Sequence, residues 1–202
     1  MTRTPDQLPP RPAEQLRADA RHNRARLILA ATEVFAEKGA DAPLEEVARR
    51  AGVGIGTLYR HFPNRLDLQA AVFRNQVSVV CEKGNALAET DSPEDALASW
   101  IRALAAYLVT KRGLSRALIE AVGVESELIT SCWMAMRETT ERLLANGQRA
   151  GVIRPDVTGT DVMRLVHGVA ASTEKEPDRA DLLLSVMVDG LAARPGRAGR
   201  GA

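Results

Sequence analysis

Cysteine and histidine are both scarce in this chain. Cys81 and Cys132 lack the short spacings of a zinc site, and His22, His61 and His167 are scattered, so no metal-ligand set is offered. The two cysteines read as reduced core thiols of a cytoplasmic protein. No apolar run approaches the ~18 residues that a membrane span needs. The opening MTRTPDQLPPRPAEQ has no apolar segment of the kind a secretory signal carries. Aromatics are only 3% of the residues. No nucleophile–base pairing, glycine-rich phosphate loop or carboxylate constellation stands out. Neither an enzyme nor a bound cofactor is expected.

What is present favours helix. Apolar residues make up 45% of the 202, and alanine, leucine, arginine and glutamate dominate. Hydrophobic periodicity predicts nine helices and no strand, an all-α chain. Residues 1–18 hold four prolines and scattered arginines, which predicts a mobile arm. A first unit is expected over 19–65, with helices at 20–38, from near Pro43 to Gly52, and at 55–61. A second is expected over 66–193, with helices at 66–89, from Ser92 to just before Gly113, and at 114–122, 127–150, 159–172 and 177–193. The glycine- and arginine-rich residues 194–202 complete the chain as a flexible tail. In the fourth helix Leu68, Val72, Val79, Val80 and Leu87 are the apolar members. The last two helices are apolar on more than one side, through Val162, Leu165, Val166, Val169, Leu182, Leu183, Val186 and Met187. A helix apolar round most of its circumference must be covered on two sides, which predicts self-association through these residues.

Charge is unevenly spread. Residues 1–65 carry 11 Arg/Lys against 8 Asp/Glu, whereas residues 66–193 carry 13 against 18. A basic front joined to an acidic body suits a nucleic-acid module attached to something else. Within that front, residues 43–62 read as two short helices around a turn at Gly52–Gly54, a helix-turn-helix pattern. Ala48, Val53 and Leu58 would lock the pair. Ile55, Gly56, Thr57, Tyr59, Arg60 and His61 would remain outside, with hydroxyls, an imidazole and a guanidinium free to meet phosphate oxygens.

The string FAEKGADAPLEEVARRAGVGIGTLYRHFPNRLDL closely resembles the N-terminal domain of the TetR family of bacterial transcription regulators. The match runs through Phe35, Gly39, Val47, Ala48, Ala51, Gly52, Val53, then Gly56, Thr57, Leu58, Tyr59, then Phe62, Pro63, Asn64 and Leu68. It covers about fifty residues; the remainder is similar to the family only in its six-helix body. The resemblance implies an N-terminal helix-turn-helix domain followed by a helical effector and dimerisation domain. It implies that Ile55, Gly56, Thr57 and Arg60 face base edges or nearby backbone, and that Tyr59, His61 and Arg65 hold phosphates. Arg21, Asn23 and Arg24 fall where the arm and first helix often touch backbone. Pro43 and Leu44 replace the family's usual threonine pair, which removes a cap. Glu45 stands where an arginine often reads a base, and its carboxylate would accept from a cytosine amino group.

Trp100, Tyr107, Trp133, Met136 and Met163 recur at helical spacing and are core residues by default. The resemblance implies an effector cavity among the fifth, seventh and eighth helices, which these five would line with Leu104 and Cys132. His167 is placed either in the core or interface or facing that cavity, and Arg116 and Glu120 are candidates for its polar end. The expectation is a homodimeric repressor that leaves a palindromic operator in double-stranded DNA when a small apolar or aromatic effector binds, acting in the cytoplasm on the nucleoid. The alternatives are a constitutive regulator without an effector, and a helical small-molecule-binding protein or enzyme with no DNA function.

Overall fold

The computed structural model describes residues 13–90, 92–110, 112–173 and 176–193. Most of the expected arm, residues 1–12, and the tail 194–202 lie outside the described residues. Those described hold nine helices: α1 (Ala13–Lys38), α2 (Leu44–Arg50), α3 (Ile55–His61), α4 (Arg65–Thr90), α5 (Pro93–Thr110), α6 (Arg112–Val122), α7 (Glu127–Arg149), α8 (Gly159–Ser172) and α9 (Pro177–Leu191). No strand occurs among them, only an isolated antiparallel bridge between Ile153 and Ala192. The chain divides into two compact units between Leu68 and Gln69.

In the first unit α1 begins at Ala13, seven residues earlier than expected. Neither glycine nor proline interrupts the chain from there to Lys38, so the helix propagates back into residues assigned to the arm. Its inner face is Leu27, Ile28, Ala31, Val34 and Phe35, all buried. Gly39, in the left-handed region at φ +86°, stops it as a C-cap glycine does. Pro43 is the N-cap of α2 rather than its first helical residue, and makes no side-chain cap bond. Leu44, Val47 and Ala48 pack inward. Gly52, at φ +66°, reverses the chain in a conformation that costs a side-chain-bearing residue ~1 kcal/mol or more. The Val53 amide then donates to Ala48 O at 3.0 Å.

In the second unit α5 packs against α7, α8 and α9, and α7 against α8. Trp100 is wholly buried on α5 and donates its indole N–H to Thr140 Oγ1 at 2.9 Å. Gly84 of α4 lies directly under it. A Cβ there would come within 2.6 Å of the Trp100 ring and 2.7 Å of Thr139 Cγ2, so only glycine permits this approach. The helix starts are capped as their sequences suggest. Ser92 Oγ accepts from the Asp95 amide, Ser126 from the Ile129 amide, and Thr158 forms a reciprocal capping box with Asp161. Val79, one of the apolar members of α4, is 57% exposed. Gly113 lies inside α6, not between helices.

Candidate nucleic-acid interface

Seven residues make α3, and Leu58 is the only buried one. Burying that side chain contributes ~2 kcal/mol and holds the helix by one edge, with Phe62 buried one turn on. The other edge is free. Ile55 and Tyr59 are exposed by 38% and 46%, Gly56 and Arg60 are exposed, and Thr57 and His61 are half-buried. Arg60 lies back along its own helix, its Nη2 donating to Thr57 Oγ1 at 3.0 Å. An exposed polar edge on a helix fixed by a single anchor is the form expected of a groove-reading element.

Beside it α1 completes a cleft of about 590 Å3, lined by Asp19, Ala20, His22 and Asn23 from α1 and by Thr57, Arg60 and His61 from α3. The structure therefore brings Asn23 together with three of the α3 candidates. Sequence reasoning missed Asp19, which fell just before the expected first helix, and Ala20 and His22, which lay in that helix with nothing in its spacing to show that they meet α3. The glycine- and proline-free run from Ala13 was the available signal. Arg21 is exposed, and the exposed Arg24 guanidinium stands 5.1 Å from the centre of the Phe62 ring, a cation–π seat. Glu45 is exposed on the first turn of α2.

Arg65 is engaged within the fold: its Nη1 donates to Ala40 O at 3.2 Å and Ala42 O at 2.6 Å, so this half-buried guanidinium clasps the α1–α2 connection. Arg50 is likewise internal to the fold. It makes two bonds to the Glu37 carboxylate, at 2.6 and 2.8 Å, while Lys38 pairs with Glu46. The hydrogen bond from Arg50 holds the Glu37 carboxyl below its usual range, and that from Lys38 does the same for Glu46.

The second unit separates the remaining candidates. Trp100, Leu104, Tyr107, Cys132, Met136 and Met163 are buried. Trp133 is only half-buried, with the Arg137 guanidinium 5.7 Å from its ring centre. His167 is exposed, and its Nδ1 pairs with Met163 O at 3.0 Å. It therefore lies outside the core of its own subunit. Arg116 and Glu120 are both solvent-facing on α6. Of the residues assigned to self-association, Val162 and Val166 are wholly buried in their own subunit and so are withdrawn from the outer face. Leu165, Leu182, Leu183 and Val186 are exposed by 50, 51, 38 and 60%, and Val169 and Met187 are half-buried. Among the described residues no three His, Cys, Asp or Glu side chains gather as a metal set, and no helix is long and apolar enough to cross a membrane.

Comparison with known proteins agrees with this geometry. Residues 27–72 match the family described as bacterial regulatory proteins of the TetR family. Residues 92–193 match the family described as the C-terminal domain of SbtR-like transcriptional regulators. The crystal structure of the TetR transcriptional regulator SCO0520 from Streptomyces coelicolor is 33% identical with a TM-score of 0.72, over 84% of this chain and 98% of that one. The TetR transcription regulatory protein from Mycobacterium vanbaalenii is 34% identical with a TM-score of 0.66, over 88% and 99%. The HTH-type transcriptional regulator TtgW of Pseudomonas putida is 42% identical over 65 residues, 32% of this chain and 48% of that protein. The chain thus spans under half the length of this curated relative. These relatives are transcription regulators rather than enzymes. A helix-turn-helix unit that exposes its second helix, followed by a helical body alike in fold over nearly the whole of a solved regulator, leaves one assignment: this DNA-binding chain belongs to the TetR family of bacterial transcription regulators.

Proposed function

We propose that the protein is a homodimeric cytoplasmic repressor that occupies a palindromic operator and leaves it when a small, mainly apolar effector binds the second unit. One observation carries the reading: α8 and α9 expose Leu165, Leu182, Leu183 and Val186 together, an apolar face that a soluble monomer seldom leaves bare. A twofold partner covers it most economically. Two copies of α3 would then address two half-sites about one helical turn, ~10 bp, or a little more apart. The buried cluster of Trp100, Leu104, Tyr107, Met136 and Met163 supplies the apolar walls that small-molecule sites are made of. An effector there shifts the protein between two states only by its differential affinity, typically ~1–3 kcal/mol.

The test begins with selection of bound duplexes from random DNA, which should return an inverted repeat. Sedimentation of the free protein should give a dimer. Val186→Arg should give monomers or insoluble protein, because an unpaired charge is then placed in the interface. A Val186→Arg protein that remains a soluble dimer would move the interface away from α8 and α9, and a selected site without twofold symmetry would sink the palindrome.

A further inference from the structure

The cleft between α1 and α3 is balanced in charge. Its lining holds one acid, Asp19, and one arginine, Arg60, together with His22 and His61. With both imidazoles neutral the lining carries no net formal charge, and with both protonated it carries +2. The other cations of this unit are placed elsewhere. Arg24 is seated over the Phe62 ring, and Arg26 Nη2 lies 2.5 Å from where a Cβ of Gly52 would stand. Arg17 and Arg21 are exposed on α1. On α2, which packs against both α1 and α3, Arg49 and Arg50 pair with Glu46, and Arg50 also with Glu37 of α1. Glu45 is exposed. None of these groups lines the cleft. Arg60 is drawn back along α3, its Nε donating to Gly56 O at 3.4 Å and its Nη2 to Thr57 Oγ1. The charge that the cleft offers an anion is therefore set by its two histidines. Histidine is the side chain whose charge changes near neutral pH, and solvent reaches both, since His22 is exposed and His61 half-buried.

We propose that this cleft is a proton-linked seat for one phosphate of the DNA backbone, gripped by protonated His22 and His61, so that the operator is held more tightly as pH falls from 8 to 6. The inference rests on the docking of α3 to DNA and adds to it one residue, His22, and a regulation. The cleft adjoins the exposed edge of α3, and a phosphodiester is the anion that a duplex brings to the rim of a groove-reading helix. The Asn23 amide and the Thr57 hydroxyl supply neutral donors in the same lining. While both imidazoles are neutral, Asp19 offsets Arg60 and the phosphate gains little; each proton taken up adds one unit of attraction. An imidazolium facing a phosphate is favoured over a neutral imidazole, so the complex holds protons that the free protein lacks. The gain is complete below the pH at which the free imidazoles titrate. It is lost as pH rises through the higher value that they have in the complex.

The test is the operator affinity of the full chain, followed by fluorescence anisotropy at constant ionic strength. It should rise ~25-fold from pH 8 to pH 6, which is ~fivefold for each exposed ion pair gained. His22→Gln and His61→Gln keep a hydrogen-bonding side chain that cannot take up a proton. Each should cut the rise to ~fivefold, and the double variant should show less than ~twofold. His167→Gln, which changes the third histidine of the chain, should keep the full rise. His22→Arg carries a permanent charge and should bind at pH 8 ~fivefold more tightly than wild type, a gain that a merely structural role would not produce. The slope of log affinity against log salt should steepen by ~0.9 per histidine between pH 8 and pH 6. A scrambled duplex should show the same rise, because every sequence presents the same phosphates. A rise confined to the operator would assign the protons to base contacts and overturn the phosphate seat. A flat profile in the wild type, a rise that survives in the double variant, or one lost with His167→Gln would overturn the proton linkage. Absence of duplex binding at every pH would refute the docking of α3 itself, whereas a flat profile refutes only this inference, so the two failures are distinguishable.

Discussion

The two units of this chain bury their residues to opposite purposes. Up to Leu68 the short reading helix is held by one side chain, Leu58, and its remaining surface is turned outward. From Gln69 onward the largest side chain in the core, Trp100, is completely enclosed, and two polar atoms, Tyr107 Oη and Gln76 Oε1, are buried unpaired. A surface that must fit an external duplex is constrained in residue type at nearly every exposed position. An interior need only be filled, and many combinations of apolar side chains fill the same space. The first kind of constraint leaves a readable string; the second leaves only periodicity.

Substitutions can break this comparison, and the largest effect should come from the interior. Trp100→Ala empties the tightest point of the second unit, where Gly84 already sits against the ring. It should cost ~3–5 kcal/mol in urea unfolding. Trp100→Phe, which keeps most of the volume but drops the bond to Thr140, should cost much less. If both variants unfold at the wild-type midpoint, α5 is not the packing centre of the second unit. The reading helix should respond in the reverse manner. Tyr59→Ala with His61→Ala should weaken operator binding by ~100-fold, which is ~2.7 kcal/mol, and leave the unfolding midpoint within ~0.5 kcal/mol of wild type. Retained affinity would remove α3 from the DNA.

Legibility followed the same division. The end of α1, the two short helices after it and their inward residues could be read because Gly39 and Gly52 punctuate them and Leu44, Val47 and Leu58 sit at fixed steps between. The clasp made by Arg65 could not be read because the partners of its guanidinium, the carbonyls of Ala40 and Ala42, lie 25 and 23 residues away in sequence. No local pattern reports such a bond. In α8, periodicity found the apolar residues but did not say which of two coverings each would meet. Val162 and Val166 went to the subunit's own core and Leu165 to the surface. Trp133 and His167 show the same shortfall: helical spacing places a residue on a face but says nothing of what stands opposite. The unpaired atoms of Tyr107 and Gln76 were not legible at all, because which polar atoms are enclosed is decided only once the helices are packed.

Charge gives a smaller contrast. In the first unit Arg50 gathers Glu37 and Glu46 between α1 and α2. In the second, Arg154 ties the turn after α7 to the end of α9, its amide donating to Leu191 O at 2.9 Å. Its guanidinium meets both oxygens of Asp156 at 2.6 Å. That hydrogen bond holds the Asp156 carboxyl down to about 2, against an ordinary 3.8. A carboxyl whose folded value lies below its unfolded one stabilises the fold at all pH above the unfolded value, and the contribution disappears as pH falls through the folded one. Asp156→Asn should therefore lower Tm slightly at pH 7 and by the same amount at pH 5. The deficit should shrink between pH 4 and pH 2. Because the pair is exposed, the deficit should also shrink in high salt. A deficit that persists undiminished at pH 2 would mean that Asp156 orders this turn by shape rather than by charge.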